Sequence, residues 1–345
     1  MTAKATAAPA IGIFGAGSIG CYLGGRLAAA GGAVRLVGRA HMAEVVARHG
    51  LRVSDWQGYD HVLAPRQVPF STEAASLATA ELVLVTVKSA DTETSGDVLA
   101  SVLAPGTVVI SLQNGVNNAA RLQQRLPRQR VLAGMVPFNV VQHGDGHFHH
   151  GSEGVVEVEV DDALTPWLDL FRSAGLPLQL RADMNAVLWA KLLLNLNNPI
   201  NALAGIPLQE ELRQRAFRRC IALAQREALA LYAEAGIRPA RLTPVPPRWM
   251  PSLLAVPDAV FQRVGQRMLR IDPLARSSMW EDLERGRRTE IEWINGELLH
   301  LAERLGRKAP VNACLVALVR AAEQGGRRDW SGPELLAALQ RAAQD

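Results

Sequence analysis

The sequence has 345 residues, of which 48% are hydrophobic and 20% are charged, a balance that is typical of globular proteins. At about 100–200 residues per domain the length predicts two domains, and the lack of an apolar run of about 18 residues predicts no transmembrane helix. The net charge of +4 is small and the arginines are scattered, so we expect neither a nucleic-acid partner nor a membrane surface.

The first half of the chain alternates short apolar strands with helices. Residues 1–9 lack the charged-then-apolar pattern of a secretory signal, so we interpret them as a lead-in to a cytoplasmic protein. We predict strands over 11–14, 34–37, 82–87 and 108–112, and helices over 19–30 and 42–49. Segment 155–160 alternates with a period of two, which predicts antiparallel strands with one solvated face, ending near Arg181. This order predicts an α/β, Rossmann-type doubly wound sheet.

The second half of the chain is predicted to be helical. Apolar residues recur with helical spacing over three segments, 185–195, 210–236 and 289–305. Segment 243–257 contains five prolines and is predicted to be a loop. We therefore predict a Rossmann-like domain over residues 1–181 and an all-α domain over residues 182–345. The apolar C-terminal helices predict either a homodimer face or an internal core.

A glycine-rich turn joins the first predicted strand to the first predicted helix. It has the G-x-G-x-x-G pattern and consists of Gly15, Ala16, Gly17, Ser18, Ile19 and Gly20. Gly15 permits a tight turn, Gly17 lets the backbone approach a pyrophosphate, and Gly20 allows the helix to pack on the strand. Because the N-terminus of a helix attracts phosphates, the turn predicts dinucleotide binding. The alternative is a purely structural turn.

The residues after the next strands indicate which dinucleotide binds. NAD sites usually have an acid at the end of the second strand, where this sequence has Gly38 and Arg39. A guanidinium binds a 2′-phosphate through a forked contact, so we predict NADP; the alternative is an ordinary surface arginine. Lys88 and Asn114 follow two further strands, at the sheet edge where ligands bind. Asn114 with Gly115 is also a common turn, so its function stays open.

A single lysine stands out in the predicted helix over 185–195. Only four of the 37 basic residues are lysines, and Lys191 is the only charge between Asp183 and Glu210. Lys191, Asn195 and Asn198 have i, i+4, i+7 spacing, which predicts one polar face on a buried helix. Burial lowers the pKa of a lysine, and its ammonium group then suits proton donation to a substrate oxygen. The alternative is a structural pair with a buried carboxylate.

A second polar cluster spans 277–292. Thr289 and Glu292 have the spacing of a capping box, with Glu290 as an acid in the first turn of the helix that follows. On this spacing alone Glu290 is a structural residue.

The histidines and cysteines form no predicted metal or disulfide site. Four histidines lie in a glycine-rich stretch without a carboxylate or cysteine at ligand spacing, so a loop or hairpin is favoured over a metal site: His143, His147, His149 and His150. The three cysteines are far apart, which predicts neither a disulfide framework nor a metal cluster.

Taken together, these residues resemble the ketopantoate reductase family (2-dehydropantoate 2-reductases), from Ile11 to about Val319. The resemblance rests on six motifs: 15–20, Gly38-Arg39, Val87-Lys88, Gln113-Asn114-Gly115, Trp189-x-Lys191-Leu192-x-x-Asn195, and Ser277-Ser278-Met279-x-x-Asp282 followed by Arg288-Thr289-Glu290-Ile291. It implies the reduction of a 2-oxo acid, 2-dehydropantoate, to (R)-pantoate by NADPH, in pantothenate and coenzyme A biosynthesis.

The resemblance also implies roles for the substrate residues. Lys191 would be the general acid that protonates the reduced carbonyl oxygen, and Glu290 would bind and orient the substrate hydroxyl. Asn195, Asn198 and Ser278 would bind the polar groups of the substrate.

For the cofactor, the resemblance implies contacts on two sides. Asn114 would lie by the nicotinamide and next to the substrate. Lys88 and Arg39 would lie by the ribose and phosphate of NADP.

Two departures from the family pattern affect the predicted substrate contacts. The Asn-Pro pair, Asn198-Pro199, comes one residue early, so Asn197, Asn198 and Asn201 are all candidates for the same role. Leu208-Gln209 stands where the family often has Asn-Gly. A reductase of another branched 2-oxo acid therefore stays an alternative, as does a non-catalytic NADP-binding regulatory protein.

Overall fold

The computed structural model describes residues 10–265 and 273–344; the predicted lead-in, residues 1–9, lies outside them. The chain divides into two compact units. Unit 1 comprises Met1–Gln113 and Asn117–Met184, and unit 2 comprises Asn114–Val116 and Asn185–Asp345. The short segment that contains Asn114 thus belongs to the second unit.

Unit 1 is a mixed α/β unit. Its strands are β1 (Ile11–Phe14), β2 (Val34–Val37), β3 (Leu51–Asp55), β4 (Asp60–Leu63), β5 (Phe70–Ser71), β6 (Leu82–Val85), β7 (Val108–Ser111), β8 (Arg130–Met135), β9 (Val140–Gln142), β10 (His147–His150), β11 (Glu157–Glu159) and β12 (Gln179–Arg181). Its helices are α1 (Ser18–Ala29), α2 (Ala40–His49), α3 (Thr92–Ala100), α4 (Asn118–Arg125) and α5 (Thr165–Ser173).

The main sheet of unit 1 confirms the predicted Rossmann-type fold. Its strand order is β12-β11-β8-β7-β6-β1-β2-β5, and the six strands from β8 to β5 are parallel. All residues of β6 are buried, as expected for an apolar strand covered on both faces. The chain leaves β1 towards β2 on one side and later towards β6 on the other. Ligands bind at the carboxyl ends of strands at such a switch point.

The end of the main sheet differs in part from the prediction. β11 is antiparallel to β8 and parallel to β12, so the last two strands run antiparallel to the other six, as predicted. The predicted solvated face is wrong at Glu157, which is buried. The reason is an ion pair with Arg181 on β12, which compensates for the burial of the carboxylate.

A second sheet, absent from the sequence predictions, has the order β4-β3-β10-β9. It contains the histidine-rich stretch, and the antiparallel pair of β9 and β10 confirms the predicted hairpin. Arg26 of α1 binds Asp55 at the end of β3 with an N–O distance of 2.8 Å. The same guanidinium lies 3.7 Å from the centre of the Tyr59 ring. These contacts attach the small sheet to α1.

Unit 2 is all-helical over the residues that the structure describes, as predicted. Its helices are α6 (Met184–Asn195), α7 (Asn198–Ala204), α8 (Leu208–Arg213), α9 (Arg215–Glu234), α10 (Met250–Ala255), α11 (Asp258–Val264), α12 (Ser278–Glu284), α13 (Ile291–Arg304), α14 (Pro310–Glu323) and α15 (Gly332–Ala342). None of the helices described in either unit is both long enough and apolar enough to cross a bilayer.

Two predictions for unit 2 are corrected. The proline-rich segment 243–257 is not all loop, because it contains α10. Pro251 lies in the first turn of α10, where a helix does not use the missing N–H group. The single helix predicted over 210–236 is interrupted at Gln214, whose backbone is extended, with φ −93° and ψ 115°.

Candidate active site

The glycine turn of unit 1 is tightly packed at two of its three glycines. Gly15 has φ +101°, and a Cβ atom there would lie 2.5 Å from the backbone nitrogen of Val87. A Cβ atom on Gly20 would lie 2.7 Å from the carbonyl oxygen of Gly15. The hydroxyl of Thr86 donates a hydrogen bond of 2.8 Å to that oxygen. Sequence reasoning missed Thr86, although a polar residue at the end of an apolar strand was a usable signal.

The third glycine faces open space. A Cβ atom on Gly17 would meet only one atom within 4 Å, the Gly15 carbonyl oxygen at 3.9 Å. Gly17 is the N-cap of α1, and no side chain caps the helix there. The first turn, with Ser18 and Ile19, therefore offers backbone N–H groups and the positive end of the helix dipole. These residues fit a phosphate group of a dinucleotide.

Arg39 and Lys88 lie at the same edge of the sheet as the glycine turn. Arg39 is exposed and is the N-cap of α2, two residues after β2 ends. Lys88 is half-buried and follows β6 at the start of the short turn Ser89–Asp91. Because β2 and β6 flank β1, the structure places all three features at the switch point. β6 ends at Val85, two residues earlier than predicted.

Four buried polar side chains support the turn after Lys88, and of these only Gln113 was singled out from the sequence, as part of a family motif. The Gln113 amide donates to the Thr92 hydroxyl at 2.7 Å, and that hydroxyl contacts Asn118 Oδ1 at 3.0 Å. The Asn118 amide donates to the hydroxyl of Ser89 at 3.1 Å. A satisfied buried network of this kind fixes one backbone geometry.

In unit 2, α6 carries Lys191 and is held against α9 by two side chains. The hydroxyl of Tyr232 donates to the carbonyl oxygen of Trp189 at 3.2 Å, and the side-chain amide of Gln225 donates to the carbonyl oxygen of Leu193 at 3.1 Å. Both side chains are almost fully buried. They bind the backbone on each side of Lys191, so the base of its side chain has a fixed position.

The environment of Lys191 changes its acidity. Burial disfavours the ammonium form and lowers the pKa of Lys191 to about 8. The side chain is therefore still mostly protonated at pH 7 but releases its proton far more readily than a solvated lysine. A group with a pKa near the operating pH suits proton transfer.

Three predicted site residues from distant parts of the chain meet in unit 2. The amide of Asn114 donates to Glu290 Oε2 at 2.9 Å. The amide of Asn195, one turn after Lys191 on α6, reaches Asn114 Oδ1 at 3.5 Å. Glu290 is 6% exposed, so its carboxyl group is held within this cluster.

The predicted capping box at Thr289 and Glu292 is wrong. α13 begins at Ile291, which makes Glu290 the N-cap; its side chain makes no capping bond, and the Thr289 hydroxyl accepts the N–H of Ile291 at 3.3 Å rather than that of Glu292. Glu292 instead pairs with Arg320 at 2.5 Å, and the Thr289 hydroxyl donates to Glu323 at 2.8 Å. The capping interpretation, which argued against a site role for Glu290, is thereby removed.

Asn198 does not lie on the helix that carries Lys191, contrary to the i, i+7 prediction. α6 ends at Asn195 and α7 begins at Asn198. The cause is Pro199, which has no N–H group for a bond to the carbonyl of Asn195 and whose ring obstructs a continuous helix. Asn198 is half-buried at the start of α7.

Ser278, also half-buried, is the first residue of α12 and lies close to Asn198 through its neighbour Ser277. The Ser277 hydroxyl donates to the carbonyl oxygen of Asn198 at 3.2 Å and accepts the N–H of Trp280 at 3.1 Å. Asn201, the other candidate on α7, is fully buried in contacts within the protein. The structure therefore supports Asn198 over Asn201 as a substrate residue.

Over residues 10–265 and 273–344, no group of histidines, cysteines and acids has the arrangement of a metal site.

Comparison with known proteins yields matches over most of the chain. The family model described as ketopantoate reductase PanE/ApbA matches residues 11–162, and the model of its C-terminal part matches residues 183–323. A 2-dehydropantoate 2-reductase of Archaeoglobus fulgidus is 30% identical over 319 residues, which cover 91% of this chain and 97% of the relative.

Solved structures give the same result for the fold. A PanE/ApbA family ketopantoate reductase from Ralstonia eutropha JMP134 is 30% identical, with a TM-score of 0.78 over 92% of this chain and 99% of the other. D-mandelate dehydrogenase in a ternary structure with NADH and anilino(oxo)acetate is 20% identical, with a TM-score of 0.74 over 92% and 99%. At that identity the second likeness shows the fold alone.

Proposed function

The chain belongs to the ketopantoate reductase family, and from this premise we propose that it reduces 2-dehydropantoate to (R)-pantoate with NADPH. The reaction is a step in pantothenate and coenzyme A biosynthesis. The observation that carries the proposal is the cluster of Asn114, Asn195 and Glu290 in the unit that also holds Lys191.

NADPH is the proposed cofactor, and it supplies the hydride when bound. The backbone N–H groups at the start of α1 would hold the pyrophosphate, where Gly17 leaves room for it. Arg39, at the end of β2, would bind the 2′-phosphate through its guanidinium group. Lys88 would contact the same part of the cofactor from the end of β6.

The residues of unit 2 would bind the substrate and provide the proton. Lys191 would donate its proton to the carbonyl oxygen as the hydride reaches the carbonyl carbon, which gives the alcohol. Glu290, held by Asn114, would accept a hydrogen bond from the substrate hydroxyl and orient it. Asn195, Asn198 and Ser278 would bind the remaining polar groups of the substrate.

The pH dependence of the reaction follows from the lowered pKa of Lys191. Since the general acid must carry a proton, kcat/KM for the reduction is expected to be constant below about pH 8 and to fall about tenfold per pH unit above it. The reverse oxidation needs the neutral amine, so its rate should rise through the same range. A break near 10.5, the ordinary value of a lysine, would contradict the lowered pKa of Lys191, and a profile with no break up to that pH would contradict its role as the general acid. The Kd of NADPH, measured over the same range, is the control.

A second candidate is a reductase of a different 2-oxo acid with the same chemistry. One observation favours it: the early Asn198-Pro199 pair lies at the proposed substrate site. The homodimer stays a prediction in either case.

A panel of 2-oxo acids separates these candidates. Loss of NADPH absorbance should be fastest with 2-dehydropantoate, with a kcat/KM at least about tenfold above those for pyruvate, 2-oxoisovalerate and phenylglyoxylate. A higher kcat/KM for one of the other acids would replace the proposed substrate. No oxidation of NADPH with any acid, together with tight NADPH binding, would favour the non-catalytic alternative.

A further inference from the structure

We propose that Asn201 and Glu211 are positioning residues of the substrate site, which hold the start of α7 against the start of α12. The proposal depends on the proposed function only for the identity of the substrate residues, Asn198 and Ser278. The contacts that carry it lie entirely within unit 2.

Asn201 connects three segments through one fully buried amide group. Its Oδ1 accepts the backbone N–H of Ser277 at 2.8 Å. Its Nδ2 donates to the carbonyl oxygen of Ile206 at 3.0 Å and to Glu211 Oε2 at 2.6 Å. Because the amide uses its acceptor and its donors at once, it sets the relative positions of α7, α8 and the start of α12.

Ser277 transmits this constraint to the two proposed substrate residues. Asn201 accepts the backbone N–H of Ser277. The Ser277 hydroxyl donates to the carbonyl oxygen of Asn198 and caps α12. Ser278, the next residue, therefore starts α12 at a fixed place relative to Asn198. A shift of Asn201 would move both residues, although Asn201 itself has no exposed surface for a substrate.

Glu211 anchors the other side of the network as a largely neutral acid. It is fully buried, and burial raises its pKa to about 8, although the amides of Asn201 and Asn197 partly oppose this shift. The protonated carboxyl still offers an oxygen that accepts the hydrogen bond from Asn201. Glutamine, which is neutral and has the same shape, should replace it, whereas leucine would remove one of the two acceptors of the Asn201 amide and leave only the Ile206 carbonyl oxygen.

The chain supplies a matched control in Asn312 on α14. This side chain is also fully buried, and its amide donates to Glu227 Oε2 at 2.6 Å and to the carbonyl of Ala224 at 3.3 Å. Its Oδ1 accepts the amide of Asn295 at 2.9 Å. Asn201→Ala and Asn312→Ala thus remove equivalent buried networks, but only the first contacts Ser277.

The experiment measures substrate kinetics and amide hydrogen exchange in the same variants. In Asn201→Ala and Glu211→Leu, KM for the 2-oxo acid should rise about tenfold or more, while the Kd of NADPH changes less than about twofold. Exchange at the amides of Ser277 and Trp280 should become at least about tenfold faster. Glu211→Gln should retain wild-type KM and exchange. Asn312→Ala should lower Tm without changing either quantity.

Unchanged KM and exchange in both Asn201→Ala and Glu211→Leu would overturn the proposal, as would an equal rise in KM in Asn312→Ala. If Asn201→Ala does not fold, Glu211→Leu tests the same contact from α8. Failure of the proposed function is recognised separately, because the wild type would then fail to oxidise NADPH with any 2-oxo acid of the panel. In that case exchange alone decides: faster exchange at Ser277 supports the positioning role and unchanged exchange overturns it.

Discussion

Replacement of Lys191 by alanine is expected to lower kcat about 10²–10⁴-fold, the usual contribution of a positioned general acid. The physical reason is that the alkoxide formed on hydride transfer loses its proton donor, and alanine leaves no ionisable group on this part of α6. The Kd of NADPH should stay within about twofold, since the proposed phosphate contacts are all in unit 1. Loss of NADPH absorbance under saturating substrate gives kcat, and a fluorescence titration gives the Kd.

Two further variants make this result specific. Lys191→Arg keeps the positive charge but donates its proton very poorly, so it should lose nearly as much activity as the alanine variant. Lys308→Ala removes an exposed lysine between α13 and α14 and should behave as the wild type. A kcat for Lys191→Ala within about threefold of the wild-type value would remove Lys191 from the chemical step.

The local part of this fold could be predicted from sequence because short-range patterns determine it. β1 and β2 have the predicted bounds, and each end of α1 lies within one residue of its predicted position. An apolar run, a glycine turn and the small-residue helix after it act over fewer than about 20 residues. The small sheet as a whole could not be predicted, because its two hairpins join through β3 and β10, where Ser54 lies opposite His149, 95 residues away. No local periodicity reports such a pairing.

In the candidate site, too, short-range patterns were predicted and long-range contacts were not. The i, i+4 spacing correctly put Lys191 and Asn195 on one helix, but it extended the helix past Asn195 to Asn198, although Pro199 follows directly. The contact of Asn114 with Glu290 spans 176 residues, and only the family resemblance suggested that they act together. Their roles stay predictions until variants are measured.

Replacement of Arg39 by aspartate is expected to reverse the cofactor preference. A charge-assisted hydrogen bond contributes about 1.5–3 kcal/mol, so its loss alone should raise KM for NADPH about 10–150-fold. The new carboxylate also repels the 2′-phosphate, whereas it can accept the 2′-hydroxyl of NADH. The ratio of kcat/KM for NADPH to that for NADH should therefore fall at least about 100-fold.

Arg39→Asp is not expected to destabilise the protein, so a change in cofactor preference can be assigned to the lost guanidinium group. Arg39 is the N-cap of α2, and aspartate is among the residues that best cap a helix N-terminus, so Tm should be unchanged or slightly raised. Arg66→Asp makes the same change of charge at an exposed residue of the short turn Pro65–Gln67, which packs on α2. If both variants lower the NADPH preference equally, the effect is one of overall charge and Arg39 is not a phosphate ligand. If only Arg39→Asp does so, the guanidinium at the end of β2 selects NADP over NAD.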